Sequence, residues 1–209
     1  GALGLGAVAA LRRPGERRDQ PSRRPAGFDA LVIEGGVDDG QEAPHVTFLK
    51  QDDLTPQTAR RFMTQTYARL PFDAAHLDVF GRYFHALGDG DRPVLIHCAA
   101  GKDRTGFLAA LTHHLLGVHR DDLIADYLLT NTAVDLEARA PAIGKRLEAM
   151  TGRKASHAAV VAFLGVEPAF LDAALSAIED RHGGLDAYLR DAVGVDEALR
   201  DRIVARLSA

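Results

Sequence analysis

One apolar stretch that runs into the only cysteine constrains this chain more than any other feature. Residues 94–96 are Val-Leu-Ile, His97 and Cys98 follow, and an apolar segment with helical character begins at Phe107. A strand, a tight loop and a helix N-terminus in this order form an anion site, because loop N–H groups can turn inward and the helix dipole adds partial positive charge. Residues 98–106 are therefore predicted to hold a phosphate-sized dianion.

Cys98 opens this loop, where it is placed to act as a nucleophile beneath the anion. The helix N-terminus, the loop amides, Lys102 and Arg104 are expected to lower the pKa of its thiol, so that thiolate forms at neutral pH. The planar fork of Arg104 suits two phosphate oxygens, and Thr105 is placed to donate its hydroxyl to the sulfur. A lone cysteine after an apolar strand is more often a buried small hydrophobe. The arginine six positions later and the loop glycines favour the nucleophile.

The string HCAAGKDRTG at residues 97–106 resembles the signature loop of cysteine-based phosphatases. With Lys-Asp before the arginine, it is most similar to the bacterial atypical tyrosine and phosphoinositide phosphatases. Looser similarity runs from residues 5–8 through the arginine-rich segment that follows them, and it is found again in residues 126–128 and 183–189. The resemblance implies catalysis by Cys98, Arg104 and Asp103. The phosphate-binding residues that it implies are Ala99, Ala100, Gly101, Lys102, Thr105 and Arg12.

The resemblance also implies the substrates. They are phosphorylated proteins carrying phosphotyrosine, with phosphoserine, phosphothreonine or phosphoinositides as further candidates. Lys102 bears on this choice, because a second cation suits a multiply phosphorylated headgroup. Equally, Lys102 can serve only to lower the pKa of the thiol.

The proton donor for the leaving group has two candidate positions. The resemblance to the bacterial family indicates Asp103, inside the loop. Ordinary dual-specificity phosphatases carry their acid on an earlier loop, which here contains Asp52 and Asp53. Asp103 is favoured, although the adjacent Arg104 stabilises the ionised carboxylate and so weakens it as a donor.

An arginine-rich segment, residues 12–26, follows the first predicted strand, and its prolines are expected to prevent a helix. Its charges are either solvated or lean over the phosphate pocket and attract anions. The resemblance makes Arg12 the best placed of them. Where relatives have Asp-Leu-Arg at the end of the strand, this chain has Ala10-Leu11-Arg12.

The remaining pattern predicts an α/β fold: a small, mostly parallel central sheet flanked by helices, a phosphatase-like P-loop and a helical C-terminal half. Residues 1–209 are expected to form one domain. The predicted strands are 6–11, 29–34, 45–49 and 94–97. The predicted helices are 56–70 with Thr55 as cap, 73–87, 105–116, 122–129 with Asp121 as cap, 136–147, 157–164, one from Pro168 to about 183, and two short ones from Leu185 and Asp196. By resemblance, residues 131–165 form a mobile lid; simple solvated helices are the alternative.

Composition narrows the function further. A net charge of −4 argues against nucleic-acid binding. A single cysteine that must stay reduced predicts a cytoplasmic location, with secretion by a non-classical route left open. No apolar run approaches membrane-spanning length, so stable membrane insertion is not expected. Neither a metal nor a cofactor is called for by the implied chemistry. Members of the resembled family usually carry an additional N-terminal segment before this point.

Other classes of function are kept beside the phosphatase. A phosphate- or phosphoprotein-binding module with weak catalysis would use the same loop, and a sulfurtransferase also carries cysteine in an anion-cradling loop. The spacing from Cys98 to Arg104 fits phosphate better. A nucleotide-binding P-loop fails, because Lys102 is followed by Asp103 rather than by Ser or Thr.

Overall fold

A three-stranded parallel sheet lies at the centre of the computed structural model, which describes residues 3–36 and 43–208. The strands are β1 (Ala7–Ala10), β2 (Leu31–Glu34) and β3 (Val94–His97), in the order β2-β1-β3. Ala10 is in register with both Glu34 and His97. The carboxyl ends of all three strands therefore meet at one edge, which is the edge where parallel α/β sheets bind ligands.

Helices surround this sheet and make up the C-terminal half, so the predicted α/β class is confirmed. They are α1 (Pro14–Asp19), α2 (Pro44–Gln51), α3 (Pro56–Arg69), α4 (Ala74–Asp89), α5 (Asp103–Leu115), α6 (Arg120–Ala133), α7 (Leu136–Thr151), α8 (His157–Leu164), α9 (Pro168–His182), α10 (Leu185–Tyr188) and α11 (Glu197–Leu207). A 3₁₀ turn at Leu70–Phe72 joins α3 to α4, and a π-helical turn at Leu189–Val193 follows α10.

Local sequence signals explain several of these boundaries. Thr55 caps α3 through its side chain, and Pro56 occupies the first helical position. Asp73 caps α4 by accepting the Ala75 and His76 amides. Large apolar side chains of α4, α5 and α9 then fill the core beside β1. This packing holds the start of α5 directly after β3, where the loop that follows Cys98 ends.

The strand predicted at residues 45–49 is wrong. These residues lie in α2, which begins at Pro44 in the first helical position. Phe48 of α2 is buried and stacks on Phe62 of α3, with ring centroids 4.3 Å apart. Tertiary packing of one helix face thus overrides the local preference of Val46 and Thr47 for strand.

The prediction of a helix-free segment at 12–26 is also wrong. Pro14 stands at the first position of α1, where its missing N–H costs nothing, and the Glu16 carboxylate accepts the Arg13 amide at 2.7 Å.

Helix α6 begins earlier and ends later than predicted. His119, not Asp121, is its N-cap, with the Asp121 amide donating to the imidazole.

Membrane-spanning length is not reached by any single helix of the described residues. Among the helices in the described part of the chain, the pair α8 and α9, bent by 41°, has a suitable length and composition. Both helices bury apolar side chains against the rest of the protein.

Candidate active site

Cys98 lies at the bottom of the loop between β3 and α5, with 7% of its surface exposed. Its Sγ accepts the amide of Gly101 at 3.2 Å. Gly101 has φ +70°, a conformation that glycine adopts without strain and that turns the loop back over the sulfur. The strand–loop–helix order predicted from residues 94–111 is present in the structure.

The charge state of Cys98 follows from these surroundings. Burial raises the pKa of the thiol, but the Arg104 charge, the Thr105 hydroxyl and the Thr105 and Lys102 amides outweigh it, so the net pKa lies below its ordinary value. The Thr105 hydroxyl is buried and interacts with the sulfur, although within the described residues the geometry does not complete a hydrogen bond. Thiolate is therefore favoured, as a nucleophilic cysteine requires.

Arg104 is held by a carboxylate that sequence analysis did not single out. Its Nη1 donates to Glu16 at 2.6 Å and to the Leu11 carbonyl at 2.9 Å, and its Nη2 donates to the other Glu16 oxygen at 2.9 Å. Burial alone would raise the pKa of Glu16, but the hydrogen bonds and charge of Arg104 and the Arg13 amide hold it at about 2. The pair is thus ionic and firmly ordered.

This pairing leaves one edge of the Arg104 guanidinium unused. Of the five N–H groups of an arginine, three go to Glu16 and Leu11. The remaining two, on Nε and Nη2, are parallel and have no partner within the described residues. Two parallel N–H groups of this kind have the geometry that matches two oxygens of a phosphate. Glu16 therefore acts as a positioning residue for Arg104.

Asp103 is the first residue of α5 and lines the same cavity as Cys98. Its Oδ1 accepts the Tyr67 hydroxyl at 2.9 Å and lies 3.5 Å from the Lys102 ammonium. The alternative acids lie elsewhere. Neither Asp52 nor Asp53 lines this cavity, and Asp53 pairs with Arg153 at the surface at 3.2 Å. Of the candidate acids, only Asp103 shares the cavity with the sulfur.

The structure places the side chains of Lys102 and Arg12 differently: Lys102 lines the cavity that contains Cys98, and Arg12 does not. The buried Lys102 ammonium donates to the carbonyls of Phe163 and Gly165, at 3.0 and 3.2 Å, and so fastens the end of α8 to the loop. Arg12 donates to Gln20 and Ser22 and does not line the cavity. The backbone of Lys102 remains part of the thiolate environment, whereas Arg12 stands apart.

A cavity of about 980 Å³ opens above the loop. Its floor contains Cys98, Ala99 and Ala100 together with Asp103 and Arg104. Apolar side chains line most of the rest of it: Phe62, Met63, Leu70, Phe72, Phe163, Leu164 and Ala177. The cavity is at the upper end of the range of ordinary ligand pockets, so it accommodates a substrate larger than a bare phosphate.

Two histidines stand on the Glu16 side of the cavity. Burial lowers the pKa of His45, against the raising effect of Glu16. Burial also lowers the pKa of His76 to about 4, although Asp73 opposes the shift. Both imidazoles are therefore neutral at pH 7.

Within the described residues there is no group of three or more His, Cys, Asp or Glu side chains arranged to hold a metal ion.

Glu16 and Tyr67 are the residues of the site that sequence reasoning missed. A signal for Glu16 was present: proline at the first helical position with glutamate two residues later is a helix-start pattern, in which the glutamate turns back to the chain before it. No comparable signal marks Tyr67, which comes from α3, 36 residues before Asp103 along the chain.

A thiolate in an amide-lined loop, with an arginine fork beside it at the carboxyl end of a parallel strand, defines a cysteine-based phosphatase site. The tyrosine phosphatase family matches residues 1–209. A Cupriavidus necator protein named "Putative tyrosine-protein phosphatase" is 34% identical over 94% of this chain and 68% of its own length. The triple specificity protein phosphatase PtpB of Mycobacterium tuberculosis is 36% identical over 96% of this chain and 81% of its own length.

The chain belongs to the tyrosine phosphatase family. It is a protein-tyrosine phosphatase, and the enzyme class predicted from residues 97–106 is confirmed. Phosphorylated substrates follow from this membership.

Proposed function

We propose that the protein hydrolyses phosphate monoesters through a phosphocysteine intermediate on Cys98. The observation that carries the proposal is the position of its sulfur, which accepts a loop amide in a large cavity that Arg104 also lines, where the Arg104 charge favours the thiolate. A phosphate seated there has its oxygens on the loop amides and on the Arg104 fork. Positioning and charge stabilisation of this kind supply most of the catalysis in phosphoryl transfer.

The reaction takes two displacements. The Cys98 thiolate attacks phosphorus, the bond from phosphorus to the ester oxygen breaks, and Asp103 gives its proton to the departing oxygen. Water then attacks the phosphocysteine while the Asp103 carboxylate takes up a proton, and the P–S bond breaks to return the thiolate. The Thr105 hydroxyl stabilises the sulfur as it leaves. No atom of the enzyme is consumed in the cycle.

The shape of the cavity supports a substrate range wider than phosphotyrosine. Its aromatic and aliphatic walls fit an aryl ring with room to spare, and the same walls suit the apolar part of a lipid. Arg69 and Arg181 also line it, with the Arg181 guanidinium 4.1 Å from the ring centroid of Phe72. These cations favour substrates with further negative charge, such as acidic phosphopeptides or phosphoinositides. The triple specificity of the Mycobacterium tuberculosis relative, as its name states, agrees with such breadth.

The test is hydrolysis of 4-nitrophenyl phosphate in the presence of EDTA by the wild type, Cys98→Ser and Asp103→Asn. We expect activity in the wild type and none in Cys98→Ser. In a separate experiment with labelled substrate, a labelled phosphoenzyme should be trapped by rapid acid quench only when Cys98 is present. Asp103→Asn should lose more activity on phenyl phosphate than on 4-nitrophenyl phosphate, because the poorer leaving group depends more on an acid.

Each alternative predicts a different result. Wild-type inactivity with retained phosphopeptide binding would identify a binding module, and transfer of sulfur from thiosulfate would identify a sulfurtransferase. Phosphotyrosine peptide, phosphoserine peptide and a soluble short-chain phosphoinositide, compared as substrates, would define the range.

A further inference from the structure

Tyr67 and Tyr127 form a buried hydrogen-bonded pair that ends on the proposed acid. The Tyr127 hydroxyl donates to the Tyr67 hydroxyl at 2.6 Å, and the Tyr67 hydroxyl donates to Asp103 Oδ1 at 2.9 Å. Tyr67 is fully buried and Tyr127 is 3% exposed. The two residues come from α3 and α6, so the tertiary fold alone brings them to the start of α5.

The direction of these hydrogen bonds is determined by the chemistry of the groups. A phenol has one proton, and the Tyr127 proton occupies an acceptor site of Tyr67, so the Tyr67 proton is committed to Asp103. Burial, the Asp103 charge and Tyr127 all raise the pKa of Tyr67 well above its ordinary value. Tyr67 therefore stays protonated throughout the working range of pH and remains a donor to Oδ1.

The pair also distinguishes the two oxygens of Asp103. Tyr67 and the Lys102 ammonium both approach Oδ1, whereas Oδ2 has no partner within the described residues. Since Asp103 lines the cavity, Oδ2 is the oxygen that is free to carry a proton towards a leaving group.

A glycine makes room for this arrangement. A Cβ on Gly106 would lie 2.9 Å from the ring of Tyr127, closer than a real contact permits. Glycine at this position of α5 lets the ring approach the helix, and the Tyr127 hydroxyl then reaches Tyr67. A helix-interior glycine costs about 1 kcal/mol relative to alanine, so its presence here serves this contact.

We propose that Tyr67, supported by Tyr127, is a positioning residue that holds Asp103 by Oδ1 and thereby presents Oδ2 as the proton-transferring oxygen. The proposal rests on the proposed function, in which Asp103 is the general acid. Tyr67 takes no part in bond making. Its effect reaches the reaction only through the geometry of Asp103, and it should therefore depend on how much the leaving group needs a proton.

The experiment compares Tyr67→Phe, Tyr127→Phe and a matched control, Tyr83→Phe. Tyr83 is also buried, and its hydroxyl pairs with Thr112 at 3.0 Å without lining the cavity. Each variant is assayed with 4-nitrophenyl phosphate and with phenyl phosphate, and inhibition by orthovanadate is measured as a readout of the intact loop. Thermal melting checks that each variant is folded.

We expect Tyr67→Phe to lower kcat/KM by about 10-fold for phenyl phosphate and by less than about 2-fold for 4-nitrophenyl phosphate. The 10-fold loss is only a part of the rate enhancement of about 100-fold or more that a general acid supplies, because Asp103 itself remains. Orthovanadate inhibition should stay unchanged. Tyr127→Phe should show a smaller loss with the same leaving-group dependence, and Tyr83→Phe should show none. In the Asp103→Asn background, Tyr67→Phe should cost nothing more.

Equal losses for the two esters, or a loss that adds fully to that of Asp103→Asn, would overturn the proposal. If Tyr67→Phe does not fold, the leaving-group dependence of Tyr127→Phe decides instead. Failure of the proposed function looks different: Asp103→Asn would then show no leaving-group dependence, or Cys98→Ser would remain active.

Discussion

The ion pair between Glu16 and Arg104 gives the most quantitative prediction. The change is Glu16→Gln, because glutamine has the shape of the protonated carboxyl. The pKa of Glu16 is about 2 in the folded protein, against an ordinary value of 4.5. A folded-state pKa that is lowered contributes stability above pH 4.5, and this contribution is lost as pH falls through 4.5 towards 2.

The size of the effect follows from this shift. It corresponds to about 3 kcal/mol of unfolding free energy at pH 7 and to about 1.5 kcal/mol at pH 3. Solvent screening reduces it little, since the side chains of Glu16 and Arg104 are only 18% and 17% exposed. Glu16→Gln should therefore destabilise the protein by about 3 kcal/mol at pH 7 and by about half as much at pH 3.

Urea unfolding of wild type and variant at several pH values measures this difference. The matched control is Glu167→Gln, which removes the same charge from an ion pair with Arg60 at 2.7 Å whose side chains are 34% and 52% exposed. The exposed pair of Glu167 and Arg60 should contribute no more than about 1 kcal/mol to the free energy of unfolding. A loss in Glu16→Gln that is the same at pH 7 and pH 3 would refute the reasoning, because it would show a packing effect rather than a charge effect.

Two further predictions concern the loop and the helix that follows it. Gly106→Ala should destabilise the protein by about 1–3 kcal/mol, because the new Cβ would lie 2.9 Å from the Tyr127 ring. Thermal melting measures this loss, with Gly144→Ala as the control, because a Cβ on Gly144 has its nearest neighbour at 3.6 Å. Equal effects in the two variants would contradict the prediction. The rate of Cys98 alkylation by iodoacetamide should rise through an inflection below the ordinary thiol pKa of 9.0. The inflection should move to higher pH in Arg104→Met, because the Arg104 charge no longer opposes the effect of burial on the thiol. In Arg104→Lys, which keeps a positive charge, it should move much less. The same inflection in the wild type and both variants would contradict the role of the charge.

The loop chemistry could be predicted from the sequence because its determinants are local. Cys98 and Gly101 lie in the loop after β3, and Arg104 lies in the first turn of α5, so their spacing alone predicts that a sulfur, an inward amide and a guanidinium surround one anion site. The same local signals, such as Thr55 before Pro56, located most helices. The family and the enzyme class follow from this one stretch.

The strand predicted at residues 45–49 failed for the opposite reason. A short apolar run is compatible with strand and helix alike. The helix is stabilised by the stacking of Phe48 on Phe62 of α3 and Phe163 of α8, and such contacts with other helices cannot be read from the run itself. Likewise, charge along residues 12–26 could not show which side chain would turn inward. Two side chains of this segment line the cavity: Arg13, and Glu16, which is an acid in a basic segment.

The amino-acid sequence by itself determined the enzyme class and predicted the nucleophile and the phosphate loop, since these need only neighbours in the chain. The tertiary structure decided what orients them. Glu16 of α1 holds Arg104, Tyr67 of α3 holds Asp103, and the carbonyls at the end of α8 hold Lys102. Each of these contacts joins helices separated by long stretches of chain, and their approach depends on how apolar faces pack around the sheet rather than on any local pattern.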